Sequence, residues 1–305
     1  MSVFSPSEKA MPIRQPSTAN LMIASQDRTP WSYTALTNPF NFQITRTNAV
    51  LNGFFTRLGT TELVLNWFQP NIYDVSNNPF GTLETTDSIS VDISGGPHAG
   101  VHTATLPVGF YTAANVIDCM VTLLNQATAP GVFTYTQVCG GVQIDCSGAD
   151  FQIQGGSELP WMLGLIPYGA QNSPYAPNHT VIAPDLRPLE YIDFVSSQLT
   201  YNQDLKDSST NQIVKDVLAR WYFAYDQPPA LDSLGFPILM GYTSFVLRRT
   251  FSPPKQIRWD NTMPVGNIAF EAYGQFTYTF NRRYQPLLLT DNITNWLMTI
   301  QASEV

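Results

Sequence analysis

Charge is the scarcest thing in this chain. Lys, Arg, Asp and Glu make up 12 % of its 305 residues, about half of the roughly 25 % found in an average soluble protein. Thr, Asn, Gln and Ser must then supply the polar cover, and much of the surface is expected to be buried against neighbours. The charge that is present leans acidic, with a formal net value of −8. That argues against a dedicated nucleic-acid binder, whose affinity comes from neutralising phosphates. Two basic pairs stand against the trend, Arg248-Arg249 and Arg282-Arg283, read as solvated or interface arginines. With three cysteines, no complete disulfide framework is available. Cys119 falls on an apolar stripe, while Cys139 and Cys146 flank a short hairpin. Free thiols, suited to a reducing compartment, are expected. No run of 18 apolar residues occurs, so no transmembrane helix is predicted. The first twenty residues also lack the apolar core of a secretory signal.

Residues for chemistry are few as well. The only histidines are His98, His102 and His179. His98 and His102 have the spacing of two metal ligands on a helix, but Gly95, Gly96, Pro97 and Gly100 oppose a helix there. No carboxylate or Cys stands at a natural third position. There is no G-x-S-x-G, no phosphate-binding G-x-x-x-x-G-K-[ST] and no dinucleotide fingerprint. Asp185, Glu190 and Asp193 make a small acidic cluster, best read as a solvated strand edge. No catalytic residue, metal ligand or cofactor is assigned, and neither enzyme activity nor a small-molecule substrate is expected.

What the chain has is short strands, Pro/Gly turns and aromatics, which also reach 12 %; a disordered chain would be aromatic-poor. Its clearest landmark is Thr103 to Leu165. Leu106-Pro107-Val108-Gly109-Phe110-Tyr111 brings a strand to a turn, and Thr112 can cap a helix. Val116, Cys119, Met120, Leu123 and Leu124 then recur at helical spacing, predicting a helix near 112–127 that ends at Pro130-Gly131. Phe133, Tyr135 and Gln137, then Val142, Ile144 and Cys146, alternate in and out around the hairpin signal Cys139-Gly140-Gly141. Phe151 and Ile153 add another short run.

Around that block the period is two. Asn20–Arg28, a short strand followed by a polar turn, with Phe40/Phe42/Ile44, Leu63/Leu65/Trp67 and Asp87–Ile93, read as strands on one side. Tyr191–Val195, Phe245-Val246-Leu247, Ile257, Ile268–Tyr273 (before a turn at Gly274-Gln275) and Trp296–Ile300 read so on the other. Ile213 to Tyr225 carries both a helical stripe and a strand-like Trp-Tyr-Phe run, and stays open. Eight or more short strands argue for an all-β sandwich, with a single jelly roll the natural eight-strand solution. The expected organisation is an extended arm at 1–19, a jelly roll from 20–99 and 186–305, and an inserted, helix-containing β subdomain at 100–185 with a Pro-rich return.

Several segments resemble the minor capsid proteins of eukaryotic double-jelly-roll viruses, namely the penton (vertex) proteins of virophages and polinton-like viruses and related proteins of large DNA viruses. They are Asn20–Arg28, Asn38–Ile44, Leu106–Thr112 with its helix, Trp161-Met162-Leu163-Gly164-Leu165, and Pro254–Trp259 through the Trp296 strand. The resemblance implies a virion protein assembled in the host cell, five copies closing an icosahedral vertex beside the major capsid protein, with other minor capsid proteins as possible neighbours. Its mechanism would be assembly through a heterologous interface that closes by rotation. Candidate interface residues are Trp67, Phe68, Trp221, Tyr222 and Trp259, with Arg248, Arg249, Arg282 and Arg283, although aromatics of this kind fill cores more often than interfaces. Residues 1–19 would be the tether to a neighbour. The same composition suits a non-vertex cement or triplex protein, or a carbohydrate- or receptor-binding sandwich.

Overall fold

A computed structural model describes residues 18–27, 38–45, 55–67, 69–78, 85–128, 132–138, 141–165, 183–200, 207–208, 214–215, 217–223, 231–234, 246–258, 266–276, 284–287 and 294–303. Eight strands carry the sandwich: β1 (Thr18–Ala24), β2 (Asn41–Thr45), β3 (Arg57–Asn66), β4 (Leu189–Val195), β5 (Val217–Tyr222), β6 (Val246–Thr250), β7 (Asn267–Phe276) and β8 (Asn295–Ser303). One sheet runs β1-β8-β3-β6 and the other β5-β4-β7-β2, antiparallel throughout. First pairs with eighth, second with seventh, third with sixth and fourth with fifth. That nested pairing, with β8 beside β3 and β7 beside β4, is a jelly roll. The short strand Gln256–Arg258 continues the β6 edge of β3, and Tyr284–Pro286 continues the β2 edge of β7.

Alternation explains which side chains go inside. In β2, Phe42 and Ile44 are buried while Asn41, Gln43 and Thr45 are exposed. Along β3 the buried set changes parity, from Leu58 and Thr60 to Leu63 and Leu65. The register against β8 slips at that point, so Thr61 is an extra, bulged residue. The core is aromatic. Trp296 stands among Phe42, Phe194 and Phe270 with ring centroids 5.1 to 5.6 Å away, in the tilted and edge-on range that aromatic pairs prefer. Its indole N–H donates to the Pro39 carbonyl at 2.8 Å, leaving no buried donor unmet.

Two expectations are corrected here. Gly274 is not at a turn, because β7 runs unbroken from Asn267 to Phe276. A Cβ at Gly274 would lie 2.7 Å from Leu287 and 2.9 Å from Leu189, so glycine is there for close packing. The open segment before Tyr225 becomes β5, a strand, and the chain enters β1 at Thr18 instead of Asn20. Residues 1–17 of the expected arm lie outside the described residues.

The inserted unit also begins earlier than 100. Ser88–Ile93, assigned above to the sandwich, is the middle strand of a separate sheet between Gly100–Thr105 and Phe151–Gln154. Ile72 belongs to the inserted unit's core and Tyr73 to that of the sandwich. Helix α1 (Ala113–Thr128) packs on Gly100–Thr105 and on the hairpin Phe133–Val138/Gly141–Cys146. Its buried line is Val116, Ile117, Met120, Val121 and Leu124, with Cys119 and Leu123 at the margin, so the true stripe is rotated by part of a turn from the predicted one. The Thr112 hydroxyl accepts from the Asn115 N–H as expected of a cap. The Asp232 carboxylate, far off in sequence, accepts from the Ala114 N–H at 2.9 Å. It supplies the negative charge that the helix's own first turn lacks.

Candidate functional site

The surface with most to offer is one open side of the sandwich, where the edge strands β5 and β6 face each other. Between them lies a groove of about 330 Å³ whose lining includes Thr60, Arg220, Tyr222, Arg249, Phe251 and Lys255. It exists because the β6 edge is interrupted between Thr250 and Gln256, where Pro253 and Pro254 stand and proline's missing N–H suits a break in pairing. The sheets are tied across the groove by side chains. Lys255 Nζ donates to the Val217 carbonyl at 2.9 Å and the Thr60 hydroxyl to the Leu218 carbonyl at 3.4 Å. Arg249 shares the parity of the buried Leu247, which turns it into the groove. Its guanidinium carbon is 5.8 Å from the ring centroids of both Tyr222 and Phe251, a cation–π distance. Among the described residues Arg249 has no carboxylate partner. The adjacent Arg248 points outward and is paired with Glu62.

Behind the groove, on the outer face of the β5-β4-β7 sheet, Asp193 is fully buried. It accepts from Arg220 Nε at 2.6 Å, Arg220 Nη2 at 2.8 Å and the Tyr284 hydroxyl at 2.8 Å. The Arg220 guanidinium also lies 4.1 Å over the Tyr191 ring. The hydrogen bonds to Asp193 strengthen the cationic form of Arg220 and raise its pKa. Burial, then the Asp193 charge, pushes the Tyr284 phenol up. Tyr273 stacks on Tyr284 with centroids 5.5 Å apart and donates to Glu271 at 2.7 Å. Burial and that bond push it up to about 12. A carboxylate engaged by one cation and one phenol is a positioning group, and it fixes β5 against β4.

The predicted acidic cluster therefore comes apart. Asp193 is no solvated edge residue, because Arg220 and Tyr284 cover it, and Asp185 forms its own pair with Arg187 at 2.5 Å. Of the candidate interface aromatics, Trp67 and Trp221 are buried in the subunit's own core, Trp67 with its ring 4.9 Å from Phe223. Tyr222 is 46 % exposed and lines the groove. Phe68, Trp259, Arg282 and Arg283 lie outside the described residues, as do Cys139 and His179. His102 Nε2 is 2.9 Å from the His98 carbonyl, and no group of His, Cys, Asp and Glu among the described residues is placed to hold a metal ion. Cys119 and Cys146 are free, their thiols pushed up by burial. Among the described residues no helix is long and apolar enough to cross a membrane. Arg220, Phe251 and Lys255 escaped the sequence reading. Once Val217–Tyr222 is a strand, Arg220 and Tyr222 share a face at i and i+2, and that was the available signal.

No model of a known protein family matches this chain, and no curated protein matches its sequence. Among solved structures it is similar to the mavirus penton protein, at 10 % identity and a TM-score of 0.45 over 96 % of this chain and 100 % of that one. It is also similar to a chain in the structure of the Sputnik virophage, at 12 % identity and a TM-score of 0.46 over 95 % of this chain and 98 % of that one.

Proposed function

We propose that this protein is a structural component of a virus capsid, a penton protein whose homopentamer closes the five-fold vertices beside the major capsid protein. The observation that carries the reading is the sandwich: a complete jelly roll with one cationic, aromatic side. A side that does not match itself suits a heterologous contact between neighbouring copies, and such contacts close into rings. Low overall charge supports the same reading, since a vertex subunit buries much of its surface. So do the motif resemblances at Asn38–Ile44, Leu106–Thr112 and the Trp296 strand. In this role the chain performs no turnover; its chemistry is the burial of edge strands and the pairing of charges at the ring's seams. The test is an electron cryo-microscopy reconstruction of intact particles. Density fitting this sandwich at the five-fold positions is expected. The same density on the facets would replace the vertex reading with a cement or triplex role, and absence of the chain from particles would overturn the capsid reading.

A further inference from the structure

From Trp67 to Leu186 the sequence holds nine Asp and Glu and not one Lys or Arg. This span is all but the last two residues, Arg187 and Pro188, of the connection between β3 and β4, and it contains the inserted unit. Since the chain has 23 acidic and 15 basic residues, the remainder has 14 and 15. The inserted span thus carries −9 and everything else +1. Among the described residues, moreover, two of the sandwich's cations, Arg249 and Lys255, meet in the groove, beside Arg220, which Asp193 already pairs. Just beyond it, Arg57 and Arg258 are direct cross-strand partners on β3 and Gln256–Arg258, both exposed. Arg249 has no carboxylate partner among the described residues, and an anionic partner would supply one.

We infer that the basic side of one copy's sandwich docks the acidic inserted unit of a second copy. This rests on the reading that copies of the chain assemble side by side. The charge balance selects the occupant: two copies of net −8 repel unless a cationic patch of one meets a carboxylate-rich patch of the other, and the inserted unit is where the excess carboxylates are. Arg249, held over Tyr222 and Phe251, loses little freedom on binding, and Tyr222 offers an exposed aromatic beside it. No further strand joins the outer edges of β5 and β6 among the described residues, which makes room for the approach.

The experiment uses the full chain in solution. Its mass is followed by light scattering from 50 to 500 mM NaCl, for the natural sequence and for Arg249→Glu, with circular dichroism to check folding. A 1:1 mixture of ¹⁴N- and ¹⁵N-labelled protein is treated with a zero-length carbodiimide cross-linker, which joins amines to carboxylates. The expected result has three parts: an assembly that salt dissolves, a concentration for half-assembly raised about tenfold or more in Arg249→Glu, and mixed-isotope cross-links from Lys255 to carboxylates within residues 67–186. If Arg249→Glu fails to fold, salt dependence and cross-links decide. An assembly indifferent to salt and to Arg249→Glu would overturn the docking and leave the vertex reading standing. Inter-copy cross-links from Lys255 only to sandwich carboxylates would overturn the inserted unit as occupant. A chain that stays monomeric throughout would also overturn the docking, whereas the vertex reading falls only on the particle reconstruction.

Discussion

The sandwich and the inserted unit solve the same problem, a closed apolar core, with different materials. The sandwich core is built on rings: Phe40, Phe42, Phe194, Phe270, Trp221 and Trp296. The inserted unit is mostly aliphatic, with Ile, Val, Leu and Met on α1 and its strands, and among the described residues only Phe133 and Phe151 are buried aromatics of its core. Their electrostatics differ more sharply still, one unit wholly without Lys or Arg and the other nearly balanced. The contrast suggests a division of labour. Large rings give the scaffold rigid, heavily buried contacts, whereas an acidic surface on a compact aliphatic core can be presented to another molecule without disturbing the scaffold.

The largest expected break in that contrast comes from Trp296→Ala. Removing a ring that touches three phenylalanines should cost about 3–5 kcal/mol, read as a lower urea midpoint. Phe151→Ala should cost a similar amount, but with loss of amide protection confined first to the inserted unit. Equal loss across both units in the two variants would show that they unfold as one. A middle-sized effect is expected from Asp193→Asn, which keeps the shape but strips charge from a buried pair. We expect a loss of about 2 kcal/mol, below the usual figure for a buried pair because Arg220 keeps some solvent contact. A change within 0.5 kcal/mol of zero would mean that the pair does not hold β5. The smallest effect is with pH. Tyr273 is raised from 10 to about 12 in the folded chain. The fold therefore favours its neutral form, and that stability is intact below pH 10 and lost as pH rises towards 12. Thermal midpoints of the natural sequence should fall across this window, and less so in Tyr273→Phe; identical slopes would exclude the contribution.

Much of the architecture was legible because half-buried strands write period two into the sequence. Phe42 and Ile44 and the Trp296 strand were read correctly on that basis, Tyr191 to Val195 as a strand although all five residues are buried, and α1 by its cap and spacing. Misreadings came where a local signal had a non-local cause. Gly274 looks like a turn but answers to Leu189 and Leu287. Ser88–Ile93 is an unmistakable strand, yet nothing in its alternation says which sheet it joins. The site was harder. Arg220, Arg249 and Lys255 come from separate segments, and the groove exists only after the sheets have folded over each other.

The nested pairing has a kinetic consequence. Thr18 finds Ser303 and Phe42 finds Phe270 across most of the chain, whereas the inserted unit pairs Ser88 with Thr105 and Phe133 with Cys146. Short loops close at lower entropic cost, and low contact order folds fast. Refolding followed by pulsed hydrogen exchange should therefore protect α1 before β8; the reverse order would refute this. As the inserted unit folds it brings the end of β3 towards the start of β4. What reads in the sequence as an interruption of the jelly roll then acts during folding as the clasp that shortens its longest connection.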